Sequence, residues 1–74
     1  MRNRLKQLRE AHGLTQAALA DRLDVSRQTV NALETGRYDP SLPLAFRLAG
    51  LFQEPIEAIF EPDDDAAVPR RQAR

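Results

Sequence analysis

Residues 14–40 read LTQAALADRLDVSRQTVNALETGRYDP. Two short apolar patterns at helical spacing lie in this stretch, only a few residues apart. Thr15 stands as an N-cap, and Gln16 to Leu23 follows as a helix with Ala18, Leu19 and Leu23 inward. Asp24 and Val25 make the turn, with Val25 as an apolar plug between helices. Ser26 caps a second helix, Arg27 to Glu34, whose inner face is Val30 and Leu33, and Thr35-Gly36 ends it. Two helices joined by a turn of about three residues match the helix-turn-helix geometry, in which the first helix braces the second.

The flanking sequence supplies the rest of a core. Arg2 to His12 reads as a helix with Leu5, Leu8 and Ala11 on one face, and Gly13 follows at a left-handed cap position. After the GRYDP loop, Ser41 caps a helix from Leu42 to Phe52, with Pro43 tolerated in the first turn. Leu44, Leu48, Leu51 and Phe52 are its apolar positions. Pro55 to Phe60 forms a short last helix carrying Ile56, Ile59 and Phe60, and Met1 to Asn3 can pair with the residues after Phe60 as a short strand. The expected architecture is all-α: a compact five-helix bundle over residues 1–60, then a charged tail over 61–74.

Composition narrows the function classes. At 74 residues the chain is one small domain with little interior, and its 42% hydrophobic and 30% charged content is that of a globular protein. No cysteine is present, which removes disulfides, thiolate metal sites and thiol nucleophiles and fits a reducing cytoplasm. No apolar run approaches the ~20 residues that span a bilayer, so no membrane partner is expected. The net charge is zero, but residues 1–37 carry seven basic against four acidic groups, or +3, and residues 38–74 carry four against seven, or −3. A polyanion meets the first half locally, within a Debye length of about 8–10 Å; ordinary charge scatter is the alternative reading.

Turning the Arg27 to Glu34 helix at about 100° per residue puts Val30 and Leu33 toward the core and Gln28, Asn31 and Ala32 outward. Thr29 lies on the margin, and Arg27 is long enough to swing out. These groups can read base edges: Arg pairs bidentately with guanine, Gln and Asn with adenine, and the Ala32 methyl can meet that of thymine. Thr15, Gln16 and Ser26 sit at helix starts, where free N–H groups and the positive dipole end favour phosphate. The same residues also read as ordinary caps and a solvated face; the combined pattern favours double-stranded DNA. There is no nucleophile–base pair, Gly-rich phosphate loop or metal-ligand spacing, so no enzyme, cofactor or small-molecule ligand is expected. His12 reads as a helix C-terminal cap, and Asp63, Asp64 and Asp65 as a solvated run that can compete with DNA for the basic face.

From Arg4 to about Phe60 the chain resembles the Cro/repressor-type (XRE) helix-turn-helix regulators, the lambda repressor-like DNA-binding domains. The marks are LKQLREAHGLTQAALADRL and VSRQTVNALETGRYDPSLPLAFRLAGLF, with Thr15 to Ala20 matching T-Q-x-x-L-A. The resemblance implies base contacts at Arg27, Gln28, Asn31 and Ala32, and at Thr29. It implies backbone contacts at Gln16, Ser26, Arg37 and Tyr38, with Thr15 as cap and contact, and an Arg9–Glu34 ion pair tying the first helix to the third. Small standalone members are dimeric repressors, so a homodimer is expected, bound to an inverted-repeat operator in a bacterial or phage cytoplasm. Its interface is expected at Glu54, Pro55, Ile56, Ala58, Ile59 and Phe60, with core closure as the alternative for the last apolar positions. An antitoxin that represses its own operon and a protein-interaction module that binds no DNA are the rival functions. Gln53 departs from the pattern, because family members usually carry Gly or Asn there, the residues that suit a left-handed cap.

Overall fold

A computed structural model describes residues 1–62. The elements in order are β1 (Arg2–Asn3), α1 (Leu5–Ala11), α2 (Gln16–Leu23), α3 (Arg27–Glu34), α4 (Leu42–Phe52), α5 (Ile56–Ile59) and β2 (Phe60–Glu61). Three hydroxyls open three of the helices. Thr15 Oγ1 accepts from the Ala18 N–H at 3.0 Å, Ser26 Oγ from Thr29 at 3.0 Å and Ser41 Oγ from Leu44 at 3.2 Å. Each satisfies a first-turn donor that the helix itself leaves unpaired.

The core follows the apolar spacing. Leu5, Leu19, Leu23, Val30, Leu33, Leu48 and Ile59 are fully buried and lie in one cluster with Leu8, Ala20, Leu44, Phe52 and Phe60. Burying one such aliphatic chain contributes roughly 1.5–3 kcal/mol, so this cluster holds α2 and α3 at a fixed angle. Val25 is half-buried against the cluster rather than enclosed by it. Ala18 and Leu51 are likewise half-buried, and Ala11 is exposed. In α1 the inward positions are Leu5, Leu8 and Arg9, the last two standing three and four residues after the first and so on one helical face, whereas Ala11 has rotated away.

The first helix starts at Leu5, not Arg2. The preceding residues have other partners: β1 pairs antiparallel with β2, Arg2 opposite Glu61 and Asn3 opposite Phe60, and the Arg4 N–H donates to the Ile59 carbonyl at 2.8 Å. Asn3 Oδ1 accepts from the Leu5 N–H at 3.0 Å, and its Nδ2 donates to the Leu33 carbonyl at 2.8 Å. One side chain therefore starts α1 and covers the end of α3. The expected strand pairing is present, and it shortens both flanking helices: α5 is only Ile56–Ile59. It also carries the folded unit past the expected boundary at Phe60, since Glu61 belongs to β2 and pairs with Arg2 at 3.4 Å. The acidic run Asp63–Asp65 and the rest of the expected tail lie outside the described residues.

Four helices end in the same way. After α1, α2, α3 and α4 the chain turns through a left-handed residue: Gly13 (φ 71°), Asp24 (φ 59°), Gly36 (φ 79°) and Gln53 (φ 55°). In each case the next N–H reaches back to the helix: Leu14 to Arg9, Val25 to Ala20, Arg37 to Ala32 and Glu54 to Ala49, all at 3.0–3.1 Å. This is the Schellman closure of orphan carbonyls. Gln53 adopts the left-handed cap that its side chain disfavours, because the tight α4–α5 connection needs it.

Candidate nucleic-acid interface

The start of α2, the outer face of α3 and the residue after its cap meet at one concave surface lined by Gln16, Arg27, Gln28, Asn31, Ala32 and Arg37. Arg27, Gln28 and Asn31 are exposed and Ala32 is half-buried, while Val30 and Leu33 on the opposite face are fully buried. Arg37 reaches the surface through the Schellman closure at Gly36: its N–H binds the Ala32 carbonyl, and so does that of Tyr38 at 3.3 Å. Tyr38 is 45% exposed beside it, outside the concavity. Among the described residues, neither Arg27 nor Arg37 has an ion-pair partner.

The remaining expected contacts are more constrained. Thr29 is half-buried and its hydroxyl lies 3.0 Å from that of Ser26, so both hydroxyls have a partner inside the cap. Thr15 Oγ1 is engaged as a cap acceptor. What these positions offer outward is the first-turn N–H groups of α2 and α3 at the positive dipole ends, which suit an anion.

The Arg9–Glu34 pair is present and it is buried, not a surface pair: the two side chains are 11% and 4% exposed. Arg9 Nε donates to Glu34 Oε2, Nη2 reaches Oε1 at 3.3 Å, and Nη1 donates to the Leu14 carbonyl at 2.8 Å. The hydrogen bond to Glu34 raises the Arg9 pKa above its ordinary value despite the opposing effect of burial. Glu34 Oε1 also accepts from Gln16 Nε2 at 3.1 Å, and the same nitrogen donates to Asn31 Oδ1 at 3.3 Å. Residue spacing did not reveal this link, because Gln16 and Glu34 come together only once α2 and α3 have packed.

A helix-turn-helix family model matches residues 5–59. The chain belongs to the XRE-type helix-turn-helix family. Among its relatives in this family, an uncharacterized HTH-type transcriptional regulator of Methanocaldococcus jannaschii is 55% identical over 65 residues, 88% of this chain and 98% of that protein. A second, from Methanothermobacter thermautotrophicus, is 53% identical over 68 residues, 90% and 99% of the two chains. A third, from Bacillus subtilis, is 42% identical over 60 residues, 81% and 91% of the two. In the helix-turn-helix family α2 and α3 are the paired helices, and the concave surface lies on the outer side of the second.

A different surface is apolar. Leu42 and Phe46 on α4 are 65% and 59% exposed. Beside Leu42 a cavity of about 430 Å³ is lined also by Met1, Pro40, Ala45, Ile56 and Phe60, and by Glu57 and Pro62. Of the expected interface residues, two follow the core-closure reading. Ile59 and Phe60 are 1% and 5% exposed and close the protomer's own core, because β1 and β2 draw them inward. Ile56, Glu54 and Ala58 are half-buried and Pro55 is exposed. Among the described residues no helix is long and apolar enough to cross a membrane. His12 sits at the end of α1, as expected, and its ring packs edge-on against Phe52 at 4.9 Å.

Proposed function

We propose that this protein is a sequence-specific double-stranded DNA-binding transcriptional regulator, a homodimeric repressor that occupies an inverted-repeat operator. The observation that carries the reading is the convergence of Gln16, Arg27, Gln28, Asn31, Ala32 and Arg37 on one exposed concavity of a helix-turn-helix unit. In this reading α3 enters the major groove, Arg27, Gln28, Asn31 and Ala32 face base edges, and Arg37, Tyr38 and the helix starts hold phosphates. The relatives' names, HTH-type transcriptional regulators, support its regulatory and DNA-binding part.

Size argues for two copies. An α3 of 8 residues is about 12 Å long at ~1.5 Å per residue, which covers three to four base pairs at ~3.4 Å each. Three to four base pairs recur about once in every 60 to 260 sequences, too often for one helix to single out a site among roughly 10⁶ or more competing genomic ones. A two-fold dimer places a second α3 about 34 Å away on the same face of the duplex. The surface that supports such a dimer is the apolar one around Leu42, Phe46 and Ile56, which shares no residue with the proposed DNA face.

The reading is tested by titrating random-sequence duplex DNA at several salt concentrations. Phosphate binding gives an affinity falling with salt at a log–log slope of about −0.9 per phosphate engaged. Binding that is absent at low salt contradicts it.

A further inference from the structure

Four side chains run in series from the core to the concave surface: Arg9, Glu34, Gln16 and Asn31. Their chemistry leaves one polarity. A guanidinium only donates and an ionised carboxylate only accepts. Glu34 Oε1, already facing Arg9 Nη2 at 3.3 Å, can therefore take only a donor from Gln16, so Gln16 must turn its nitrogen inward; that contact is 3.1 Å. The second hydrogen of the same nitrogen meets Asn31 at 3.3 Å, and Asn31 must present its oxygen there. Gln16 Oε1 and Asn31 Nδ2 have no partner among the described residues, and both side chains line the concavity.

We infer that the buried Arg9–Glu34 pair sets the hydrogen-bond polarity of the recognition surface: Asn31 faces DNA as a donor only, Gln16 as an acceptor only, with Glu34 as the positioning residue. The inference rests on the reading of α3 as the DNA-reading helix. It assigns Gln16 a role other than the phosphate contact implied by family resemblance. Phosphate oxygens only accept, and both Gln16 amide hydrogens are engaged inside the protein. The Gln16 side chain instead accepts from a base amino group, adenine N6 or cytosine N4. Asn31 donates to a base acceptor such as guanine O6 or N7 or thymine O4, and with its oxygen turned to Gln16 it selects against the cytosine amino group.

Selection of bound duplexes from a random pool, run in parallel on the wild type, Gln16→Met and Asn31→Asp, tests this. Both variants replace polar side chains outside the core, and a thermal melt verifies that each is folded. In the wild type one base pair per half-site excludes cytosine at the contacted position. Asn31→Asp keeps an oxygen toward Gln16 but turns an acceptor outward, so that position changes its preference to cytosine. Gln16→Met releases Asn31 to rotate, and discrimination at that position falls by about tenfold. A Gln16→Met protein that binds all sequences more weakly by one factor, with every preference kept, makes Gln16 a phosphate contact and overturns the inference. So does an Asn31→Asp protein with unchanged preferences. A wild type that enriches no sequence overturns the DNA reading itself, and this inference with it.

Discussion

Arg9 and Glu34 are 25 positions apart in the chain and form one buried ion pair across α1 and α3. Both ends are hydrogen-bonded beyond the pair itself, Arg9 to the Leu14 carbonyl and Glu34 to Gln16. Removing one partner leaves a buried charge without compensation, which costs roughly 3–5 kcal/mol. Glu34→Ala and Arg9→Ala are each expected to lose about that much in urea denaturation, a large share of the ~5–15 kcal/mol that holds a small domain. Replacing both together, Arg9→Leu with Glu34→Leu, is expected to lose much less, because no charge is stranded. A double variant as unstable as the sum of the singles contradicts this account.

Gly36 is needed twice. Its φ of 79° is left-handed, and a Cβ built there would lie 3.0 Å from the Met1 carbonyl oxygen. Gly13 has a similar φ of 71° and open space around it. Gly13→Ala is therefore expected to cost only the backbone strain, about 1–2 kcal/mol. Gly36→Ala is expected to cost more, and the excess should shrink when Met1 is removed. Equal melting temperatures for the two variants would show that Met1 yields freely.

Gln53 stands at φ 55° without the freedom of glycine. Gln53→Gly removes about 1–2 kcal/mol of left-handed strain and gives back part of it as unfolded-chain entropy. A net gain of up to about 1 kcal/mol is expected in a thermal melt. Asp24, at φ 59°, should gain less from the same change, since aspartate tolerates this region better.

The helices were legible in the sequence because their starts are local chemistry. Thr15, Ser26 and Ser41 each precede an apolar pattern, and all three cap as expected. The outward face of α3 was legible for the same reason, since 100° per residue follows from Val30 and Leu33 alone. What was not legible depends on distant partners. Asn3 serves two helices only because β1 pairs with β2, and this moved the start of α1 from Arg2 to Leu5. For Ile59 and Phe60 the sequence leaves core closure and a dimer surface both open, and only the folded chain shows them buried. Phe46, which is not among the inward apolar positions read for that helix, lies on the outer side of α4.

That exposed side supports the dimer proposal and can be broken without touching the core. Phe46→Glu, at a position 59% exposed, is expected to keep the monomer folded and to abolish dimerisation in sedimentation analysis. Operator binding should weaken in parallel, because one α3 covers only half a site. A Phe46→Glu protein that sediments like the wild type would place any dimer contact elsewhere.

Arg27 and Arg37 both lie on the concave surface without an ion-pair partner among the described residues, and the proposal gives them different roles. Arg27→Ala is expected to lose about 1–3 kcal/mol of discrimination confined to particular base pairs. Arg37→Ala is expected to weaken binding to all sequences alike and to lower the salt slope by about 1. Fluorescence titrations of both variants against matched and mismatched duplexes separate the two patterns.

The most direct test of which face meets DNA is an amide chemical-shift titration of the isotope-labelled protein with a selected duplex. The account predicts shifts concentrated at Gln16, at Arg27 to Ala32 and at Gly36 to Tyr38, with α4 and α5 following only through dimer contacts. Shifts centred on Leu42, Phe46 and Ile56, with the Arg27 to Ala32 amides unmoved, would contradict it.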